Sequence, residues 1–475
     1  MTSKKFYITA AIPYVNARPH IGHALEFVQV DAVARYHKLL GEDVLSLSGG
    51  DENALKNVQA AEDAGANVQK FVDKNTELFR QLAIKLDAEF GVWQKGSDKE
   101  KHFTSAQKLW MLCKKDIYKK KYEGLYCVGC ETFYSPDELN EKGECYEHPG
   151  KKLEKISEEN YFFALSKYQD RLIQLIQSDE LKIVPETRKN EVLSFLSQSL
   201  LDISVSRTNE RAKNWGVPVP GDEKQRIYVW FDALNIYQSG IGFGWDETKY
   251  KKWWPADVHA IGKGIIRFHA VYWPAFLLSA KLPLPKSIFV HGYFTVDGQK
   301  MSKTLGNVID PTQLIEKYGA DVLRYYLLAK FSPFTDGDFS EDKLKDAYNG
   351  ELANGLGNLV SRVAKLCENS GLEFPKGEPS QLDQSVDEVL AKFRFDEGLK
   401  KIFELFVSSL DSSINAKEPW KLKGKQLETF LTETVSAIRN LAFNLRPFLP
   451  ETAEKIEKQF LGPKIKSEKP LFPRL

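Results

Sequence analysis

The 475-residue chain contains no apolar run approaching the roughly 18 residues that a membrane-crossing helix needs. An apolar leader is missing too: Met1-Thr2-Ser3-Lys4-Lys5 runs straight into the strand-like Phe6-Tyr7-Ile8-Thr9, which points to a cytoplasmic protein. There is no charge excess, because 66 Lys plus Arg face 65 Asp plus Glu for a net charge of +1, so only local patches can signal a nucleic-acid partner. Five cysteines, an odd number with three of them clustered, do not make a secreted disulfide framework. Internal repeats and low-complexity tracts are also absent. What is present, 42% hydrophobic and 12% aromatic residues, supplies sizeable cores, and the length is too great for a single one.

From Phe6 to Ser48 the chain reads as strand, turn, helix, strand: Phe6–Thr9, a loop with Pro13, Asn16 and Pro19, a helix from about Gly22 to Leu40 stopped by Gly41, then Val44–Ser48. Such a βαβ unit implies a parallel sheet with ligands beyond the carboxyl ends of its strands, where residues 10–23 and Gly49-Gly50-Asp51-Glu52 fall. Residues 116–200 interrupt the pattern and read as an insertion. It returns with strand-like text at Arg226–Trp230, Val258–Ile261 and Ser287–Val290, and with a helix at about Ile265–Ala280. After Pro333, Leu344, Tyr348, Leu352, Leu356, Leu359, Val363 and Leu366 recur at three- and four-residue steps, marking a helical domain interrupted by a Gly/Pro loop at 370–382. The expected architecture is α/β. A doubly wound, Rossmann-like catalytic domain lies in two pieces (1–115 and 201–340) around an insertion (116–200), and an α-helical domain follows (341–475).

Three spacings carry chemistry. His20-Ile21-Gly22-His23 opens the first helix, where imidazoles, a glycine backbone and the helix dipole suit a phosphate. Lys300-Met301-Ser302-Lys303-Thr304 follows the turn Asp297-Gly298, and two lysines on a loop suit departing polyphosphate. Alone, each also reads as surface histidines or a solvated basic turn; together and in this order they are far more informative. The third spacing is Cys127-x2-Cys130 followed by Cys145-x2-His148, four ligands of the kind tetrahedral structural Zn²⁺ takes, with no position left for a reactive water. Cys113 and Cys367 read as buried thiols.

The two signatures resemble those of class I aminoacyl-tRNA synthetases, and the resemblance narrows to the methionyl branch. The supporting stretches are Ala11-Ile12-Pro13-Tyr14-Val15-Asn16, Asp202-Ile203-Ser204-Val205-Ser206-Arg207, Tyr228-Val229-Trp230-Phe231-Asp232-Ala233-Leu234 and Phe268-His269-Ala270-Val271-Tyr272-Trp273-Pro274. The resemblance implies ATP-dependent formation of methionyl adenylate, release of pyrophosphate, and transfer of methionine to the terminal ribose of initiator and elongator tRNA. It implies catalytic roles for His20, His23, Lys300 and Lys303, with Gly22, Met301, Ser302 and Thr304 also at ATP, and Mg²⁺ to screen the polyphosphate. Asp51 is expected to take the methionine ammonium; Ile12, Tyr14, Trp230, Ala233, Leu234, Tyr237, Phe268 and His269 are expected to form the thioether pocket.

Similar zinc knuckles occur in the connective insertion of this family. Between residues 340 and 475 there are 21 Lys plus Arg and 21 Asp plus Glu, so specific contacts must read tRNA there. The residues alone favour a half-buried Trp420 beside a solvated face of Lys417, Lys421, Lys423 and Lys425. The resemblance instead places Asn358, Arg362 and Trp420 at the anticodon. Four positions depart from the family pattern. Asn53 and Ala54 stand where many members have His-Gly, Gly264 stands where an aspartate partner of Arg207 is common, and Thr304 replaces a frequent serine. The alternatives are a sister class I synthetase, for which the insertion is short of an editing domain, and a noncatalytic tRNA-binding relative. A monomer is expected.

Overall fold

The computed structural model of the chain describes residues 4–129, 132–134, 139–147, 150–301, 306–377 and 381–474. It contains two compact units, one formed by Met1–Pro19, Asp43–Gln81 and Glu89–His291, the other by His20–Glu42, Leu82–Ala88 and Gly292–Leu475. Among the described residues no helix is long and apolar enough to cross a membrane.

The first unit is built on a six-stranded sheet in the order Val92–Lys95, Asp43–Gly50, Lys5–Ala10, Val258–Gly262, Ser287–His291, Lys182–Val184, every neighbouring pair parallel. Its central strands are buried along nearly their whole length, which is why they read as continuous apolar runs instead of alternating ones. The chain order reverses between Lys5–Ala10 and Val258–Gly262, and the crevice beyond their carboxyl ends is where open parallel sheets bind ligands. A second, four-stranded antiparallel sheet is formed by Thr132–Tyr134, Ile117–Cys127 and Glu154–Phe163, within the stretch read as an insertion, and by Ile203–Ser204 just after it.

Three elements differ from the reading of the sequence. The strand expected at Arg226–Trp230 ends at Ile227, and Val229–Leu234 is a fully buried helix; a short apolar run does not distinguish a buried strand from a buried helix turn. Lys182–Val184, inside the stretch read as insertion, is the edge strand of the main sheet, too short at three residues to show a period. The helix expected at about 265–280 is present but not uniformly α, with a π segment at Phe268–Tyr272 before the α-helical Trp273–Ala280.

In the second unit the first helix spans Ile21–Leu39, and Gly41, at φ +78°, closes it as expected. The periodic residues after Pro333 lie on Glu341–Ala347, Tyr348–Gly357 and Asn358–Ser370, and all but the half-buried Leu366 are buried. Their repeated four-residue steps overshoot an α-helical turn, and the π-type turns of Tyr348–Gly357 absorb the overshoot. Fully buried Arg324 joins four segments of this unit: it pairs with Asp31 at 2.7 Å and donates to the carbonyls of Phe448 (2.8 Å), Pro447 (3.2 Å) and Leu86 (3.1 Å). Removing one partner of a buried ion pair leaves the other charge uncompensated. Arg324→Met should therefore lower unfolding free energy by about 3 kcal/mol or more in denaturant titration, while unchanged stability would show that the pair carries no load.

Candidate active site

The first signature is both the cap of a helix and a set of donors. His20 is the N-cap of Ile21–Leu39: its Nδ1 accepts from the Gly22 amide at 3.1 Å, and His23 Nδ1 accepts from the His20 amide at 3.1 Å. This is a reciprocal capping box built from imidazoles in place of Ser and Glu. With Nδ1 occupied as an acceptor, a neutral ring carries its proton on Nε2, the nitrogen that can donate to an anion at the helix N-terminus. Burial holds the His20 pKa down to about 4, so at neutral pH the ring acts as a donor and not as a cation. The ring centroids lie 3.9 Å apart.

Gly22 leaves room for the His20 ring. A Cβ there would sit 3.0 Å from His20 Cε1 and 3.1 Å from Nδ1, with Met301 Cε at 3.9 Å. Met301 of the second signature therefore lies beside the backbone of the first. The Ile21 amide bonds the Ile309 carbonyl at 3.1 Å, fixing the chain just after the lysine loop to the same helix start.

The loop itself springs from a hairpin, Phe294–Val296 with Gln299–Lys300, whose two-residue turn has φ +51° at Asp297 and +75° at Gly298. Asp338 accepts from Thr295 Oγ1 and from the Gly298 amide, both at 2.7 Å, and these bonds hold its carboxyl below the usual range. The backbone of Lys300 belongs to this hairpin, whereas Ser302, Lys303 and Thr304 lie outside the described residues.

The residues expected at the amino acid converge in the first unit. Asp51 follows the strand Asp43–Gly50 directly, bridges to Tyr14 and bonds the Pro13 carbonyl at 2.9 Å, joining the ends of two neighbouring strands. Trp230 stacks on Phe268 at 3.7 Å with planes 5° apart, and Tyr14 meets Trp230 edge-on at 6.0 Å. Ala233 and Leu234 continue the buried helix that carries Trp230, and Ile12 packs against the same core. Tyr237 Oη lies 2.8 Å from His269 Nε2, while His269 Nδ1 lies 2.9 Å from the Ile265 carbonyl. A carbonyl only accepts, so Nδ1 carries the proton and Nε2 accepts from Tyr237. Desolvation holds the His269 pKa at about 4. The result is an apolar slot with a neutral hydroxyl–imidazole pair, a setting that suits a thioether better than an ammonium or carboxylate group.

The residue set matches known proteins over its whole length. The family model "tRNA synthetases class I (M)" matches residues 6–364. The chain belongs to the methionyl family of class I tRNA synthetases. Curated methionine–tRNA ligases of Brucella suis and Thermotoga maritima are 39% and 40% identical, covering 100% and 95% of this chain and 98% and 74% of theirs. A solved Mycobacterium tuberculosis methionyl-tRNA synthetase in complex with methionyl-adenylate superposes with a TM-score of 0.90 at 34% identity, covering 99% of this chain and 100% of that one.

Two departures from the family pattern have local explanations. Asn53 donates to the carboxylate of Asp232 and to the Gly96 carbonyl, both at 2.7 Å. Arg207, lacking an aspartate at 264, donates to Ser204 Oγ (2.9 Å) and the Ser206 carbonyl (2.7 Å) and stacks over Tyr228 at 4.4 Å.

Of the four expected zinc ligands, Cys127 ends the strand Ile117–Cys127 and is buried. Cys145 is also buried, its sulfur 3.6 Å from the Tyr134 hydroxyl. Cys130 and His148 lie outside the described residues, and among the described residues no group of three or more His, Cys, Asp or Glu is placed to hold a metal. Cys113 and Cys367 are buried, with thiol pKa values pushed up to about 12 by desolvation.

In the helical region Trp420 is 58% exposed, and Asn358 is exposed on its helix. Arg362 is held by Asp411 and by Asn415 Oδ1 at 2.8 Å. Sequence reasoning missed those two partners, which share a face of Ser409–Lys417 at a four-residue spacing.

His20→Asn separates the two roles of the first signature. Asn keeps an N-cap acceptor but has no Nε2 donor, so the variant should retain its melting temperature yet lose about 10²-fold in adenylate formation, as measured by pyrophosphate exchange. Gly22→Ala should displace the His20 ring and reduce both. The sign of the pH dependence follows from the depressed pKa values. Unfolded histidines bind protons near pH 6.5 while His20 and His269 do so only near 4, so stability should fall as pH drops from 6.5 to 4, with a shallower slope in His20→Asn.

Proposed function

We propose that the chain is a methionine–tRNA ligase, converting L-methionine and ATP to methionyl adenylate and then charging initiator and elongator tRNA. The observation that carries the amino-acid assignment is the buried Trp230–Phe268 stack, which Tyr14 meets edge-on while its backbone bridges to Asp51, together with the buried Tyr237–His269 pair. Asp51 takes the ammonium, and Tyr14, Ile12, Ala233 and Leu234 complete the walls. One methylene in such a slot is worth only about 1–3 kcal/mol, so binding alone discriminates weakly against shorter thiol amino acids.

In the first step a methionine carboxylate oxygen attacks the α-phosphorus, the bond to the β-phosphate oxygen breaks, and pyrophosphate leaves. No strong base is needed because the nucleophile is already an anion; the protein supplies alignment and donors for developing charge. His20 and His23 serve the phosphate through Nε2 with the amide of Gly22. Lys300 and Lys303, with Met301, Ser302 and Thr304, serve the departing pyrophosphate. Mg²⁺ bound with ATP would screen polyphosphate charge. In the second step a terminal ribose hydroxyl attacks the methionyl carbonyl, loses its proton, and AMP leaves.

Cys127, Cys130, Cys145 and His148 would hold a structural Zn²⁺, whose role is to stabilise the insertion. The burial of both described cysteines fits a thiolate set shielded from water. Asn358, Arg362 and Trp420 read the anticodon, with the exposed indole as a stacking platform.

Wild-type protein should give pyrophosphate exchange with methionine above the other standard amino acids, and Lys303→Ala should abolish it. Exchange with a different amino acid would identify a sister synthetase, and none from folded protein a noncatalytic relative. Trp420→Ala should leave exchange intact while lowering kcat/KM for tRNA charging by about tenfold or more, consistent with 1–3 kcal/mol per stacked base. An equal loss in both assays would place Trp420 in the fold instead. Metal analysis should find one zinc per chain, lost in Cys127→Ala together with thermal stability of the insertion but not with the ability to bind ATP.

A further inference from the structure

Asp232 is 1% exposed and sits in the helix Val229–Leu234 between Trp230 and Ala233. Residues two apart on a helix face different ways, so Asp232 is directed away from the side on which Trp230 meets Phe268. Its Oδ2 accepts from Asn53 Nδ2 at 2.7 Å and its Oδ1 from His102 Nε2 at 2.5 Å. His102 is fully buried, and its Nδ1 lies 2.8 Å from the Ser239 hydroxyl on the following helix. Asn53 in turn donates to the Gly96 carbonyl at 2.7 Å.

The surrounding loop is clamped on both sides. The carboxylate of Glu52 accepts from Thr76 Oγ1 (2.5 Å) and the Ser97 amide (2.9 Å), the Trp215 indole donates to the Glu52 carbonyl at 2.8 Å, and Asn57 holds the Asp51 carbonyl at 2.7 Å. The Asn53–Asp232 bond thus lies two residues beyond Asp51 on one segment and two beyond Trp230 on the other, joining the two walls of the slot.

We propose that Asp232 is a positioning residue for amino-acid selection: its buried carboxylate, held by Asn53 and His102, sets the separation between the Asp51 carboxylate and the Trp230 wall. This rests on the methionine reading of the slot. Asn53 is the coupling residue of this chain at a position where many family members carry histidine, and His102 anchors the other carboxylate oxygen. Buried polar groups of this kind are costly to leave half-satisfied, so removing one partner shifts both segments.

The test is pyrophosphate exchange with full-length Asp232→Asn, Asn53→Ala and His102→Gln, the last keeping a donor towards Asp232. Asp232→Asn sets an amide donor against the Asn53 amide. It and Asn53→Ala should raise the methionine KM about tenfold or more while the ATP KM moves less than about twofold, and His102→Gln should stay within about threefold of wild type for both. Should Asp232→Asn fail to fold, Asn53→Ala, which leaves the Asp232–His102 pair in place, decides. A parallel rise in both KM values, or a lowered melting temperature with unchanged KM values, would overturn the positioning role. Absence of methionine-dependent exchange in wild-type protein would overturn the reading of the slot, and the proposal with it.

Discussion

The start of one helix imposes the constraint on which the proposed phosphate chemistry rests. A helix N-terminus has backbone amides in need of acceptors, and here two of those acceptors are imidazole nitrogens. Because Nδ1 of His20 and of His23 is committed to the backbone, each ring has a fixed orientation, and its remaining nitrogen is a donor by default. The spacing of the signature follows: the two histidines must stand three residues apart to cap reciprocally, and a Cβ on the residue after the first helical position would press on the His20 ring at 3.0–3.1 Å. The cap and the proposed anion contact share one geometry, so replacing either histidine by an ordinary capping residue keeps the cap and loses the Nε2 donor.

The amino-acid slot depends on a second constraint, the carboxyl edge of a parallel sheet. Strands that end side by side deliver Ile12, Tyr14 and Asp51 together, while a buried helix and a wide π turn deliver Trp230 and Phe268 face to face. Two of its polar groups satisfy each other: His269 is tied to a backbone carbonyl and Tyr237 to His269, so neither contributes net charge. A neutral Tyr237–His269 pair suits an uncharged, polarisable side chain, while the Asp51 carboxylate and the Lys56 ammonium over the Tyr14 ring supply the charged groups of this region.

Much of this was legible in the sequence, and the exceptions are instructive. The strands at 6–9, 258–261 and 287–290 were readable because buried parallel strands are largely apolar runs, that at 44–48 from Val44, Leu45 and Leu47 before the Gly49-Gly50 pair, and the helical region because its apolar residues share one face. The helix at Val229–Leu234 was not, since six residues, five of them apolar or aromatic around Asp232, are too few to show a period, and the edge strand Lys182–Val184 was too short to register. Clusters assembled from distant segments were also invisible: Arg324 with Asp31 and Phe448, and Asp232 with Asn53 and His102, are single polar letters until folding brings them together. The reciprocal cap was half visible. His-x-x-His at a helix start indicated an anion site, but not that the rings themselves hold the helix.

The most direct test of this account is the protonation of His20, read from long-range nitrogen–proton correlation spectra of the imidazoles in labelled protein, with His20→Asn used for assignment. The account predicts a neutral ring protonated on Nε2 from pH 8 to below 6, titrating only near a pKa of about 4. An Nδ1-protonated ring, or an imidazolium already present at pH 6.5, would contradict it.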